Sequence, residues 1–336
     1  WVRDNIAQFG GDPDQVTIGG ELEGAISVSA HMASPLSRGL FARAIGLSGG
    51  AFTPMGLLSR TKAQELSQRI MEDTSLAEMR TMDADAMQDE IGDVTTTLRL
   101  GPSVDGYFLP SMPVTSFSTG RQARVPLFVG TNAREQELEA SLHGMDLTPD
   151  GWRKSLSILL GSLAEEGLTY FPGSTEEEVT RSAKRLTKDM FDEHSTWRWM
   201  DLQRQTGDAP VYFYEYTHPL ALEASATGES SPSRFDGLHG TEIEYALGNL
   251  DDEPHYAWTS DDREVSRIFS GYLTQFVKTG NPNGSGLPEW PAVSQQNDGL
   301  TRQIIAKQPR TVIDHSAAEQ AFMLRFYDRM SPPEDS

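Results

Sequence analysis

The run Val16-Thr17-Ile18-Gly19-Gly20-Glu21-Leu22-Glu23-Gly24-Ala25 constrains the fold of this chain more than any other segment. A short branched apolar triplet reads as a buried strand, and the glycine pair at 19 and 20 ends it. Helical spacing begins almost at once, over residues 24–32. A strand that turns into a helix within a few residues leaves no room for a loop, so small residues must let the backbone pack against itself. That arrangement belongs to folds in which strands and helices alternate.

The rest of the chain extends this pattern. Residues 41–47, 125–130 and 210–216 (PVYFYEY) read as further buried strands, the last two ending in turn-forming or polar residues, where α/β proteins place their sites. Residues 148–206 carry helical periodicity through Trp152, Leu156, Leu159, Leu160, Met190, Trp197 and Met200. Residues 223–234 (EASATGESSPSR) read as an exposed loop. Residues 264–278 predict an amphipathic helix stopped by Gly280-Asn281-Pro282-Asn283. No internal repeat is visible. The predicted organisation is one α/β domain over residues 1–330, with a helical insertion at about 148–206 and a disordered polar tail at 331–336.

Charge and composition exclude some partners. The chain has 336 residues and a formal net charge of −21, from 49 acidic and 28 basic side chains. Such a surface repels nucleic acid and anionic membranes. Absence of cysteine removes disulfides and thiolate metal sites and leans towards a reducing compartment, although the compartment stays open because the chain starts at Trp1. No apolar run reaches membrane-spanning length. No HExxH or phosphate-binding glycine loop is present, so neither metal nor cofactor is expected.

Order and spacing then point to a family. Phe9-Gly10-Gly11-Asp12-Pro13, the run at 16–25, Ser34-Pro35-Leu36 and Ser48-Gly49 resemble the type-B carboxylesterases, the cholinesterase-like branch of the α/β-hydrolases. Val104-Asp105-Gly106 and Gly280-Asn281-Pro282-Asn283 with Trp290-Pro291 extend the resemblance to about Ala292. It implies the α/β-hydrolase fold, with a mostly parallel sheet and a helical insertion. It also implies that the first strands of the sheet and a His-Gly-Gly oxyanion loop precede Trp1, leaving the sheet with an open edge that would make the isolated chain poorly stable.

The same resemblance assigns site residues and shows a departure. Where the family reads Gly-Glu-Ser-Ala-Gly, this chain reads Gly20-Glu21-Leu22-Glu23-Gly24. Leu22 stands at the nucleophile position and has no oxygen, so no acyl-enzyme can form there. Glu23 replaces the small residue whose N–H lines the oxyanion hole, and its carboxylate opposes developing negative charge. Ser27 and Ser29 lie within the predicted helix and are poor substitutes; Ser48 reads as scaffold. The segment ending Ala133-Arg134-Glu135 makes Glu135 the residue that orients the base, with Glu137 and Glu139 as competitors in register. Gly237-Leu238-His239-Gly240 makes His239 the base. The nucleophile, acid, base order is that of the α/β-hydrolases. The implied function is hydrolysis of a small carboxylic ester, with Leu22 predicting an inactive chain. The alternative is a non-catalytic binding or adhesion-type protein on the same scaffold. Oligomeric state is not legible.

Overall fold

The computed structural model describes the chain apart from residues 54–56, 71–73, 90–100, 136–141, 143, 224–236, 297 and 331–336. Glu137, Glu139, most of the 223–234 loop and the polar tail therefore lie outside the described residues.

Strands β1 (Thr17–Glu21), β2 (Arg43–Leu47), β5 (Leu127–Asn132), β6 (Val211–Tyr216) and β8 (Gly299–Ile305) lie side by side in that order, all parallel. β7 (Gln295–Gln296) and β9 (Arg310–Asp314) join β8 antiparallel, and β3 (Leu58–Ser59) pairs with β4 (Ser103–Val104) in a separate small sheet. The main helices are α1 (Glu23–Ala33), α2 (Pro149–Leu160), α3 (Glu176–Lys188), α4 (His194–Thr206), α5 (Ser260–Thr279) and α6 (Ala317–Met330). This is the mostly parallel, helix-flanked sheet the sequence predicts. β1 forms one edge, paired only with β2 among the described residues, and is partly exposed.

Parallel strands must be covered on both faces, because their crossover helices occupy both. Along β5, Leu127 and Val129 point into one apolar cluster with Ala25 and Val28 of α1 and Trp199 of α4. Phe128 points the other way, towards Phe269, Phe276 and Trp290. Both faces are dry, so the strand reads as a continuous apolar run and not as an alternation. A third cluster, Trp152, Leu156, Val179 and Leu186 with Phe322, Met323 and Tyr327, ties residues 149–188 to α6.

Boundaries moved where capping or burial outweighs periodicity. α5 starts at Ser260, four residues before the predicted 264, because Thr259 and Asp262 form a reciprocal capping box. It ends at Gly280 with φ +77°, as predicted. β1 runs through its glycines to Glu21, because parallel pairing with β2 supplies their backbone hydrogen bonds. β8 was not predicted as a strand. It is buried along its whole length yet carries Arg302 and Gln303, which break the apolar signal. Between α3 and α4 the helix continues through one π turn, Asp189–Glu193, a feature that re-aims side chains by one position.

The register aligns the C-terminal ends of the central strands: Glu21 opposite Leu47, Leu47 opposite Gly130, Asn132 opposite Tyr216. That edge is where open α/β sheets bind ligands. No helix among the described residues is long and apolar enough to cross a membrane.

Candidate functional site

β1 passes into α1 through a single residue, Leu22, with φ +49° and ψ −108°. For a branched side chain this conformation costs about 1–3 kcal/mol. It is held from both sides. The Leu22 N–H donates to the Leu47 carbonyl at 3.0 Å, and the Leu22 carbonyl accepts the Ile26 N–H at 3.0 Å. A Cβ on Gly20 would fall 2.4 Å from the backbone of Gly24, so the turn closes only with hydrogen there. The chain thus forms the tight, positive-φ elbow that presents a side chain at the sheet edge, but the presented side chain is leucine. Glu23 opens α1 with an exposed side chain, and its N–H is among the first-turn donors that have no acceptor within the helix.

Glu135 follows β5, and His239 follows β6. The backbone brings them together: the His239 N–H donates to the Arg134 carbonyl at 2.7 Å and the Arg134 N–H to the Gly237 carbonyl at 2.9 Å. Gly237 adopts φ +55°, and a Cβ there would meet the Tyr216 carbonyl oxygen at 2.2 Å. His239 Nδ1 then lies 2.7 Å from Glu135 Oε2. Glu135 is 1% exposed. Its other oxygen accepts from Ser48 Oγ at 2.9 Å and from the Asn132 N–H at 2.6 Å. Every direction in which this carboxylate could turn is occupied, so it fixes the imidazole.

The Glu135 hydrogen bond, against burial, raises the His239 pKa to about 9, with the charges of Glu135, Asp192 and Glu21 adding to it. Nε2, the ring nitrogen turned from Glu135, lies 3.4 Å from Glu21 Oε1. Asp192 Oδ2, from the π turn, lies 3.9 Å from Nδ1. Burial raises the pKa of Glu21 and, deeper in, pushes Glu242 up to about 7 while the Asn132 amide donates to it. The carboxyl groups around the imidazole thus favour its cationic form. Glu135 to Gln should bring the His239 midpoint down by more than one unit, read from its ring resonances in a pH titration by NMR. An unchanged midpoint would show that Glu135 does not hold the proton there. The sign for folding follows: the stabilisation from charged His239 is complete below about pH 6.5 and is lost as pH rises through about 9.

Glu135, Asp192 and His239 could each offer one ligand atom, all within 4.8 Å of one another. In this arrangement Glu135 already bonds the Nδ1 atom of His239, and its other oxygen is taken by Ser48 and Asn132. Ser27 Oγ donates to the Glu23 carbonyl, and Ser29 Oγ bonds the Ile26 carbonyl and the Ala51 N–H, so both hydroxyls serve the scaffold. Sequence reasoning missed four groups. Ser48 was read as scaffold, yet it holds Glu135. Glu21 and Glu242 stand within the motifs of the elbow and the histidine, beside the residues that were chosen. Asp192 had no local signal, because the π turn that aims it is a tertiary feature.

Residues 1–322 match the model of the carboxylesterase family. The chain belongs to the carboxylesterase family. Similar proteins include a pyrethroid hydrolase, Ces2e, of Rattus norvegicus, 30% identical over 90% of this chain and 56% of the relative. Others are a cocaine esterase of Homo sapiens (29%, 99% and 60%) and carboxylesterase 1C of Mus musculus (31%, 99% and 62%). The chain thus spans about 56–62% of the length of these relatives. Membership in the carboxylesterase family makes the parallel sheet and its flanking helices an α/β-hydrolase fold, and the chain resembles ester hydrolases over almost its full length.

Proposed function

We propose that this carboxylesterase-family chain keeps the acid–base half of an ester-hydrolysing site and lacks the nucleophilic half. In this reading Glu135 orients His239, and His239 is placed to move a proton at the elbow. A carboxylic ester is the substrate class the framework was built for. One observation carries the reading: a positive-φ elbow at the edge of the sheet presents Leu22, while a buried Glu135 carboxylate holds the partly exposed His239 ring. Leucine cannot attack a carbonyl, and an imidazole alone is a weak catalyst of ester cleavage. The chain as it stands therefore does not form an acyl-enzyme.

A fluorophosphonate ester phosphonylates activated serines and tests this directly. Intact mass spectrometry should show no adduct on the folded chain. A stoichiometric adduct on any serine would overturn the reading and identify the real nucleophile. A second reading, a binding protein on the same scaffold, is favoured by the two changes at the elbow, since Glu23 as well as Leu22 departs from what hydrolysis requires.

A further inference from the structure

A cavity of about 500 Å3 opens beside α3, the π turn, β8–β9 and the start of α6. Neither Glu135 nor His239 lines it. Its lining runs against the composition of the chain. Arg181, Lys184, Arg185 and Lys188 face it from successive turns of α3, and Arg302 from β8, in a protein with 28 basic and 49 acidic residues.

Three of these cations are matched from within. Lys188 lies 3.2 Å from Glu193 and 2.5 Å from Glu215. Arg302 meets Glu193 and, at 2.8 Å, Asp314. Arg185 meets Glu319. Arg181 and Lys184 have no carboxylate partner among the described residues. The remaining acid in the lining, Asp189, accepts from Gln320 Nε2 at 2.8 Å, and burial pushes its pKa up to about 7. Five basic and five acidic side chains line the cavity, and the positive charge with no carboxylate beside it among the described residues sits at Arg181 and Lys184. Ser316 Oγ is buried in the same wall without a hydrogen-bond partner, one residue before α6. The first N–H groups of that helix favour negative charge nearby.

We propose that this cavity binds a small dianionic oxyanion of the phosphate monoester class, its oxygens held by Arg181 and Lys184 and met by Ser316. The volume is that of a small-molecule site and exceeds what a bare ion fills. Two unpaired cations suit a dianion better than a single carboxylate. The site is distinct from the ester site, so it stands or falls independently of the function proposed above.

Calorimetric titration of the chain with phenyl phosphate, at ionic strength held constant with chloride, tests this. Saturable binding is expected, weakened about tenfold or more in Arg181→Ala/Lys184→Ala. Both side chains are exposed, so the variant should keep the wild-type melting temperature. Ser316→Ala should weaken binding by a smaller factor. Inorganic sulfate in a parallel titration reads the contribution of the ionic head alone and should bind more weakly than the ester. Heats that match the chloride blank, or full affinity retained in the double variant, would overturn the proposal.

Discussion

Replacing Leu22 by serine and Glu23 by alanine is expected to raise hydrolysis of a short-chain nitrophenyl ester by about a thousand-fold over the unaltered chain. The estimate starts from the loss on removing a triad serine in a hydrolase, about a million-fold in turnover. Part of that span stays out of reach. Among the 336 residues there is no His-Gly-Gly run, and each missing oxyanion donor costs about a hundred- to a thousand-fold. What the variant regains is a hydroxyl on an elbow already held by Leu47 and Ile26, one residue from Glu21, whose carboxylate lies 3.4 Å from Nε2 of a histidine already oriented by Glu135. Serine keeps the Cβ that strains the backbone at φ +49°, so the elbow should cost the variant about what it costs the leucine. The pH profile adds a check. With His239 raised to about 9, the restored activity should climb through pH 8–9, because only the neutral imidazole accepts the serine proton. Adding His239→Ala to the double variant should abolish the gain. If the double variant gains nothing while remaining folded, the elbow and the dyad do not form a hydrolytic site, and the binding reading takes its place.

The second large effect concerns the fold. Glu193, from the π turn, is 4% exposed and joins three elements. It accepts from Thr131 Oγ1 on β5 at 2.5 Å, meets Arg302 on β8, and lies 3.2 Å from Lys188 on α3. Burial alone would raise its pKa; Arg302 and then Lys188 outweigh this and hold the carboxyl far below its ordinary range. Glu193 to Ala leaves two buried cations short of a partner and should cost about 3–5 kcal/mol, read from urea unfolding. By contrast, Glu165 to Ala breaks only the exposed pair with Arg153, worth less than about 1 kcal/mol. The sign with pH follows from the depressed pKa. The contribution of Glu193 is present above about pH 4.3, the unfolded value, and is lost as pH falls below it. Acid should therefore destabilise the unaltered chain more than the variant. Equal losses for Glu193 and Glu165 variants would mean that the buried cluster does not hold β5, β8 and α3 together.

Much of the fold is legible in the sequence alone. Motif order singles out Glu135 and His239, and the structure brings them within 2.7 Å across 104 positions of sequence. The motifs could be read because each must satisfy a local backbone requirement. Gly20 must let a strand and a helix touch, and Gly237 must take a positive φ beneath the Tyr216 carbonyl. Those demands restrict residue types at fixed spacing, and so leave a trace in the string of letters. β8 left no such trace, because Arg302 and Gln303 hide a fully buried strand, and their partners are far away in sequence.

What the sequence determined by itself was the alternation of strands and helices, the elbow motif, the two segments that carry Glu135 and His239, and a leucine at position 22. These depend on residue type and short-range spacing. Only the tertiary structure decided how the pair is charged and what surrounds it. Ser48, Glu21 and Asp192 converge on Glu135 and His239 from three separate segments, and Asn132 of β5 holds Glu242 beside them. The cations of α3 find partners, or lack them, according to where β8 and α6 lie against that helix. Charge interactions depend on distance and burial in three dimensions, and no periodicity along the chain encodes either.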